Sequence, residues 1–110
     1  MYKLRKETKD TMILLSIDEP RHKTCSVLKA YYMDEDMSVS VTSLHTFEGY
    51  RGKGYATVLL NWLFDVVKYK GYKIITLDDC TEFFRKANNI YLTNGFKYIE
   101  EGYPEMIKHL

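Results

Sequence analysis

The chain has 110 residues, a length that suits one hydrophobic core and a single domain over residues 1–110. Its 16 Lys and Arg nearly balance 15 Asp and Glu, and this net charge of +1 argues against a polybasic nucleic-acid or membrane-surface protein and against an acidic solvating tail. Hydrophobic residues make up 45%, too many for a disordered chain, while two Cys supply neither a disulfide framework nor a zinc-finger spacing, so no metal is expected.

The first part of the chain reads as strands. Met12 to Ile17 is mostly apolar and is bounded by Asp18-Glu19-Pro20-Arg21, a turn signal. Its longest clean apolar stretch, Met12 to Leu15, is too short for a signal-peptide core, and nothing approaches a membrane span. The expectation is a reduced, cytoplasmic protein without a membrane partner. Cys25 to Met33 is rich in Val, Leu and Tyr and ends at Asp34-Glu35-Asp36; Val39 to Phe47 is strongly extended. Short polar breaks between the three predict an antiparallel meander.

The third of these strands carries an irregularity. Val39 and Val41 share one face, with Ser38, Ser40 and Thr42 on the other, and then Leu44 falls on the polar parity. One extra residue near Thr42 or Ser43 would account for it, a β-bulge of the kind that leaves ladder groups unpaired beside active sites. A strand buried on both faces is the alternative.

Gly49-Tyr50-Arg51-Gly52-Lys53-Gly54 follows, and then a helical stretch from Tyr55 to Lys70. Its polar residues Thr57, Asn61, Asp65 and Lys68 form one narrow stripe, so the helix is largely buried, and Gly71 ends it. Lys73 to Leu77 is a β-branched run that predicts a buried strand. Glu82 to Asn94 predicts a second helix, with Phe83, Phe84, Ala87, Ile90 and Tyr91 on one face and Gly95 at its end. Phe96 to Ile99 and Glu105 to Ile107 predict a terminal hairpin. The strand–helix–strand unit implies one parallel pair, so the fold class is α/β with a mixed, mainly antiparallel sheet and two main helices.

Arg51 to Ala56 sits where a strand gives way to a helix. Glycines there let backbone amides approach a ligand, and the first helical N–H groups lack internal partners at the positive end of the dipole. Together with Arg51 and Lys53 this makes a site for a phosphate or diphosphate. A Walker-type loop is excluded because Lys53 is followed by Gly54 rather than Ser or Thr, and a dinucleotide fingerprint lacks its third glycine.

Arg51-x-x-Gly54-x-Ala56 resembles the acetyl-CoA signature of the GNAT superfamily of N-acetyltransferases. Downstream, Ala87-Asn88-Asn89-Ile90-Tyr91-Leu92-Thr93-Asn94-Gly95-Phe96 resembles the family's Ala-x-x-x-Tyr-x-x-x-Gly-Phe segment. The element order agrees from about residue 12 to the end. The resemblance implies a short form of the fold, lacking most of the N-terminal strand and helices, since only about ten residues precede Met12. It implies acetyl-CoA as co-substrate, with its diphosphate on Arg51, Gly52, Lys53, Gly54, Tyr55 and Ala56. The pantetheine arm is implied to pair with a splayed strand at Leu44, His45 and Thr46, and Ala87 and Tyr91 complete the cofactor contacts. The implied reaction moves acetyl to a primary amine by direct attack in a ternary complex. The Thr46 amide then serves the oxyanion and Tyr91 serves as general acid to the departing thiolate. The alternative is a CoA-binding module with weak or no transfer.

Other residues carry candidate roles of their own. His45 is a candidate base or part of a water-mediated proton path, because imidazole is the side chain suited to proton transfer around neutral pH. Glu35 and Asp36 either attract a cationic acceptor or form a solvated hairpin tip. Asp78 and Asp79 either face the acceptor cleft or cap the next helix. Cys80, just before a helix, offers an acyl-enzyme alternative. Trp62, Phe64 and Tyr69 exceed what one small sheet needs to cover it and suggest a homodimer. The partner expected is an amine, small or on a protein; nucleic acid is not.

Overall fold

The computed structural model describes residues 3–21, 23–80 and 89–110. Seven strands and two helices follow one another as β1 (Lys3–Lys9), β2 (Met12–Glu19), β3 (Lys23–Met33), β4 (Ser38–Thr46), α1 (Tyr55–Tyr69), β5 (Ile74–Asp78), α2 (Ile90–Thr93), β6 (Lys97–Tyr98) and β7 (Glu105–His109). The strands make one mixed sheet in the order β1-β2-β3-β4-β5-β7-β6, antiparallel except where β4 meets β5.

The core lies on one face. Ile13, Leu15 and Ile17 of β2 alternate inward, as do Leu28 and Ala30 of β3, Val39 and Val41 of β4, Ile75 and Leu77 of β5, and Met106 of β7. Leu59, Leu60, Leu63 and Val67 of α1 cover them, and all are buried. Each Ile, Leu, Val or Met side chain among them contributes roughly 1.5–3 kcal/mol on leaving water, so this layer holds the fold together. The helix ends where the sequence indicates. Gly71 has φ +87°, its amide donates to the Lys68 carbonyl at 3.0 Å, and the Tyr72 amide donates to that of Val67 at 3.2 Å. This is a Schellman closure that a left-handed glycine permits. Of the three aromatics that suggested a dimer, Trp62 and Phe64 pack against the core, and Tyr69 stands 90% exposed.

The opposite face is built by the alternate residues. Strand register sets Ser16, Val27 and His45 in one cross-strand row, Leu14, Lys29 and Ser43 in the next, and Tyr31, Ser40 and Thr76 in a third. Among the described residues no helix covers it, and the molecule measures only 17 Å along its shortest axis, the depth of two layers.

Two elements depart from the sequence reading. The N-terminal residues form β1, a strand that the reading did not assign; no helix separates it from β2, because Asp10 and Thr11 return the chain directly with Lys9 opposite Met12. Asp10 takes the left-handed φ of +55° that such a two-residue turn demands. All seven β1 residues are exposed and mostly charged, so no apolar periodicity marks them, and the charge blunts the sheet edge. The helix expected over Glu82 to Asn94 is not continuous. Asn89 is extended, with ψ 127°, and starts a short helix at Ile90 as its N-cap; Phe83, Phe84 and Ala87 lie outside the described residues. None of the described helices is long and apolar enough to cross a membrane.

Candidate active site

The central feature is a gap between β4 and β5. The parallel pairing joins Ser38 through Val41 to Ile74 through Leu77 and stops there. Just beyond, β4 has one residue more than β3: Ala30 faces Val41 and Lys29 faces Ser43, leaving Thr42 as the bulge the sequence called for. After the bulge β4 stays with β3 and leaves β5. The Phe47 amide donates to the Cys25 carbonyl at 2.9 Å. In an antiparallel ladder residues alternate, so Phe47 and His45 turn their amides toward β3, and Thr46 and Leu44 turn theirs away from it, into the gap. The Thr46 carbonyl, likewise free of β3, accepts from Arg51 Nε at 3.1 Å. The Ser26 hydroxyl, wholly buried, donates to the His45 carbonyl at 3.2 Å and lies 2.8 Å from the Thr46 hydroxyl, which fixes this stretch.

The N-terminus of α1 stands at the foot of the gap. Gly54 caps it in a left-handed conformation, no side chain caps the first turn, and no acidic residue offsets the dipole there. The Gly54 carbonyl accepts from the Val58 amide at 3.1 Å, so the Ala56 and Thr57 amides have no acceptor within the helix. Gly52 and Gly54 have φ of +78° and +80°, and a Cβ on either would meet nothing within 4 Å. The space in front of these two backbones is therefore open to an approaching ligand. A cavity of about 250 Å³ lies here between Thr46, Tyr50 and Arg51 on one side and the first turn of α1 on the other. Lys53, exposed, sits 5.6 Å from the Tyr50 ring centre. The uncompensated amides, the two cations and the open space fit a diphosphate.

A second cavity, about 370 Å³, fills the gap itself, with Thr42, Leu44 and His45 on one wall and Leu77, Asp78, Cys80 and Tyr91 on the other. Tyr91 is only 7% exposed, and its hydroxyl makes no hydrogen bond among the described residues. Burial above all, and then the electrostatics of the neighbouring Asp79 and Cys80 side chains, pushes its phenol up to about 12. Its place is set by a buried clamp. The Asn89 side-chain carbonyl accepts from the Tyr91 amide at 2.8 Å, while the Asn89 amide group donates to Asp79. The Tyr98 hydroxyl donates to the same Asp79 carboxylate at 2.7 Å. The Asp79 amide in turn donates to the Pro104 carbonyl at 2.8 Å, so the end of β5, the start of α2 and the terminal hairpin are tied together beneath Tyr91.

Residues 12–96 match the model of the acetyltransferase (GNAT) family. The chain belongs to that family. None of the curated proteins compared with it by sequence matches significantly. Solved structures share the fold at low identity. A GNAT-family acetyltransferase from Staphylococcus aureus is 16% identical with a TM-score of 0.77, over 90% of this chain and 68% of that one. A Klebsiella pneumoniae protein assigned as an acyl-CoA N-acyltransferase is 15% identical with a TM-score of 0.79, over 100% of this chain and 98% of that one. The PaiA N-acetyltransferase of Thermoplasma acidophilum, solved with coenzyme A, is 17% identical with a TM-score of 0.74, over 91% of this chain and 62% of that one.

In this GNAT chain the sequence-predicted residues fall into three groups. Leu44, His45, Thr46, Arg51, Gly52, Gly54, Tyr55, Ala56 and Tyr91 line the gap or the α1 corner; Lys53 is beside it, and Ala87 lies outside the described residues. His45 is exposed on the open face, its ring edge-on to Phe47 at 4.7 Å. Asp78 is exposed at the cleft, whereas Asp79 is buried in the clamp and does not cap α2, whose N-cap is Asn89. Cys80 is exposed at the cleft. Glu35 and Asp36 sit at the β3–β4 hairpin tip, beyond the start of β4, which is itself about 13 Å from the bulge at 3.3 Å per residue, and neither lines the gap. Sequence reasoning missed the clamp. The Asn88-Asn89 pair ahead of an apolar turn was its only local signal, since Asn is a favoured N-cap. Among the described residues no group of three or more His, Cys, Asp or Glu is placed to hold a metal.

Proposed function

We propose that this GNAT chain is a single-domain cytoplasmic N-acetyltransferase that moves the acetyl group of acetyl-CoA to a primary amine by direct attack in a ternary complex. The observation that carries the reading is the pair of Leu44 and Thr46 amides turned into a gap whose foot is the uncapped N-terminus of α1. Arg51, Gly52, Lys53, Gly54, Tyr55 and Ala56 would hold the diphosphate, and Leu44, His45 and Thr46 the pantetheine arm, with Ala87 and Tyr91 completing the set. Bound acetyl-CoA supplies an activated thioester. The protein's part is then threefold. The Thr46 amide offers a hydrogen bond to the thioester oxygen as negative charge gathers there. His45, on the acceptor side, takes a proton from the amine directly or through water. Tyr91 keeps its proton throughout the neutral range and donates it to the leaving sulfur.

Turnover of acetyl-CoA against a panel of primary amines tests this reading. Tyr91→Phe is expected to lower kcat by about 100-fold with little change in KM for acetyl-CoA, the loss typical of a missing general acid. Because the phenol is pushed up to about 12, the rate should climb with pH as the amine deprotonates. No falling limb is expected below about pH 10, where an ordinary tyrosine would begin to ionise. The sheet face that no helix covers among the described residues favours one second reading, a CoA-binding module with weak transfer. Coenzyme A binding without turnover of any amine would establish that reading instead.

A further inference from the structure

Asp78 and Glu105 stand directly opposite each other on β5 and β7. Leu77 and Met106 fill the core, so alternation turns Asp78 and Glu105 to the open face, away from α1. Like charges in such a cross-strand pair repel. Both side chains are exposed, and neither takes part in an ion pair or a side-chain hydrogen bond among the described residues. They line a cavity of about 390 Å³ together with Ser40, Thr42 and Thr76. Thr42, Asp78 and Cys80 border this cavity and also the one that Tyr91 enters, so the two form one trough running from the gap across β5 to β7. Tyr91 is a separate sign that this trough takes a ligand. It is buried to all but 7%, its hydroxyl is without a hydrogen bond among the described residues, and it borders the trough.

The geometry points to an acceptor with two positive charges. We propose that Asp78 and Glu105 hold a second ammonium group of the substrate while its first amine lies in the gap. Neighbouring strands are about 4.8 Å apart, so a cation between β5 and β7 lies roughly 5–8 Å from an amine between β4 and β5. A flexible aliphatic diamine with four or five carbons spans that distance. A bound dication would also relieve the repulsion between the two carboxylates. This inference rests on the transferase reading above and specifies its substrate class.

The test compares diaminobutane with aminobutane as acceptors for the full chain at saturating acetyl-CoA. The diamine should be favoured in kcat/KM by about tenfold or more, as a charge-assisted contact provides, through a lower KM rather than a higher kcat. The advantage should shrink as salt rises. Asp78→Asn with Glu105→Gln should bring the ratio of the two amines close to one. Glu105→Gln alone, at an exposed site whose side chain takes no part in the Asp79 clamp, should reduce it part-way, and thermal melting checks that both variants are folded. Equal use of the two amines by the unaltered protein overturns the proposal, as does a diamine preference that survives both variants. Failure of the transferase reading looks different: no amine of the panel, these two included, is acetylated, and both proposals fall together; turnover of other amines with neither of these two overturns the diamine proposal alone.

Discussion

The two faces of the sheet come from alternate residues of the same strands, yet they serve different ends. Under α1, β2 to β5 present Ile, Leu, Val and Ala side chains at or near zero exposure. On the other face the same strands present Lys29, Ser40, Ser43, His45, Thr76 and Asp78. One face is shaped by the loss of water, and it makes the fold; the other keeps polar groups within reach of solvent and holds the trough bordered by Asp78 and Glu105. The gap joins them. Donor and acceptor can meet there from opposite sides, because the α1 corner lies on the covered side and Asp78 and Glu105 on the open one. Among the described residues one layer of helix covers the sheet, and the trough lies on the face left open.

The sharpest way to break this comparison is to close the gap. Deleting Thr42 removes the extra residue while leaving Val39, Val41 and Leu44 on the core side, since Ser43 then falls between Val41 and Leu44. A straight β4 would continue its pairing with β5 beyond Leu77. The expected outcome is a folded protein whose coenzyme A affinity, measured by calorimetry, is lower by at least about 100-fold, near 2.8 kcal/mol. Retained affinity would mean that the bulge does not create the site.

The unequal weight of the two faces predicts a second difference. Leu63→Ala, in the covered layer, should cost about 3 kcal/mol in denaturant unfolding, the middle of the range for a buried leucine. Leu14→Ala, half-buried on the open face opposite Lys29, should cost about 1 kcal/mol or less. Equal losses would show that something packs on the open face in solution.

Much of the covered side was legible in the sequence, because apolar alternation and the thin polar stripe of α1 report burial directly. The bulge was legible too, as the parity error between Val41 and Leu44. The open side left fainter marks. β1 is all exposed and its pairing depends on a turn, so periodicity had nothing to detect. Glu105 became relevant only through its register with Asp78, a long-range pairing that no local pattern encodes. The division of labour between Asp78 and Asp79 follows from alternation at a strand end, where one residue turns to the cleft and the next turns inward to Asn89 and Tyr98. From sequence both were simply acidic.

The smallest predicted effect lies at the edge of the open face, where charge replaces apolar contact. Arg5 Nε donates to Asp18 at 2.8 Å, and its guanidinium donates to Glu7 at 2.7 Å. The Arg5 hydrogen bond holds the Asp18 carboxyl below its ordinary value of 3.8. A carboxyl lowered in the folded state contributes stability that is present above that ordinary value and is lost as pH falls through the depressed one. The side chains of Arg5 and Asp18 are 42% and 14% exposed, so solvent screens the pair and its worth is below about 1 kcal/mol. Arg5→Ala should therefore lower the melting temperature at neutral pH by a few degrees at most. The difference from the unaltered protein should vanish in strong acid, where Asp18 is protonated in both. It should also shrink in molar salt, where the screening length falls to about 3 Å. Leu63→Ala should keep its full cost under both conditions, because the covered face is held by apolar burial that neither protons nor ions screen.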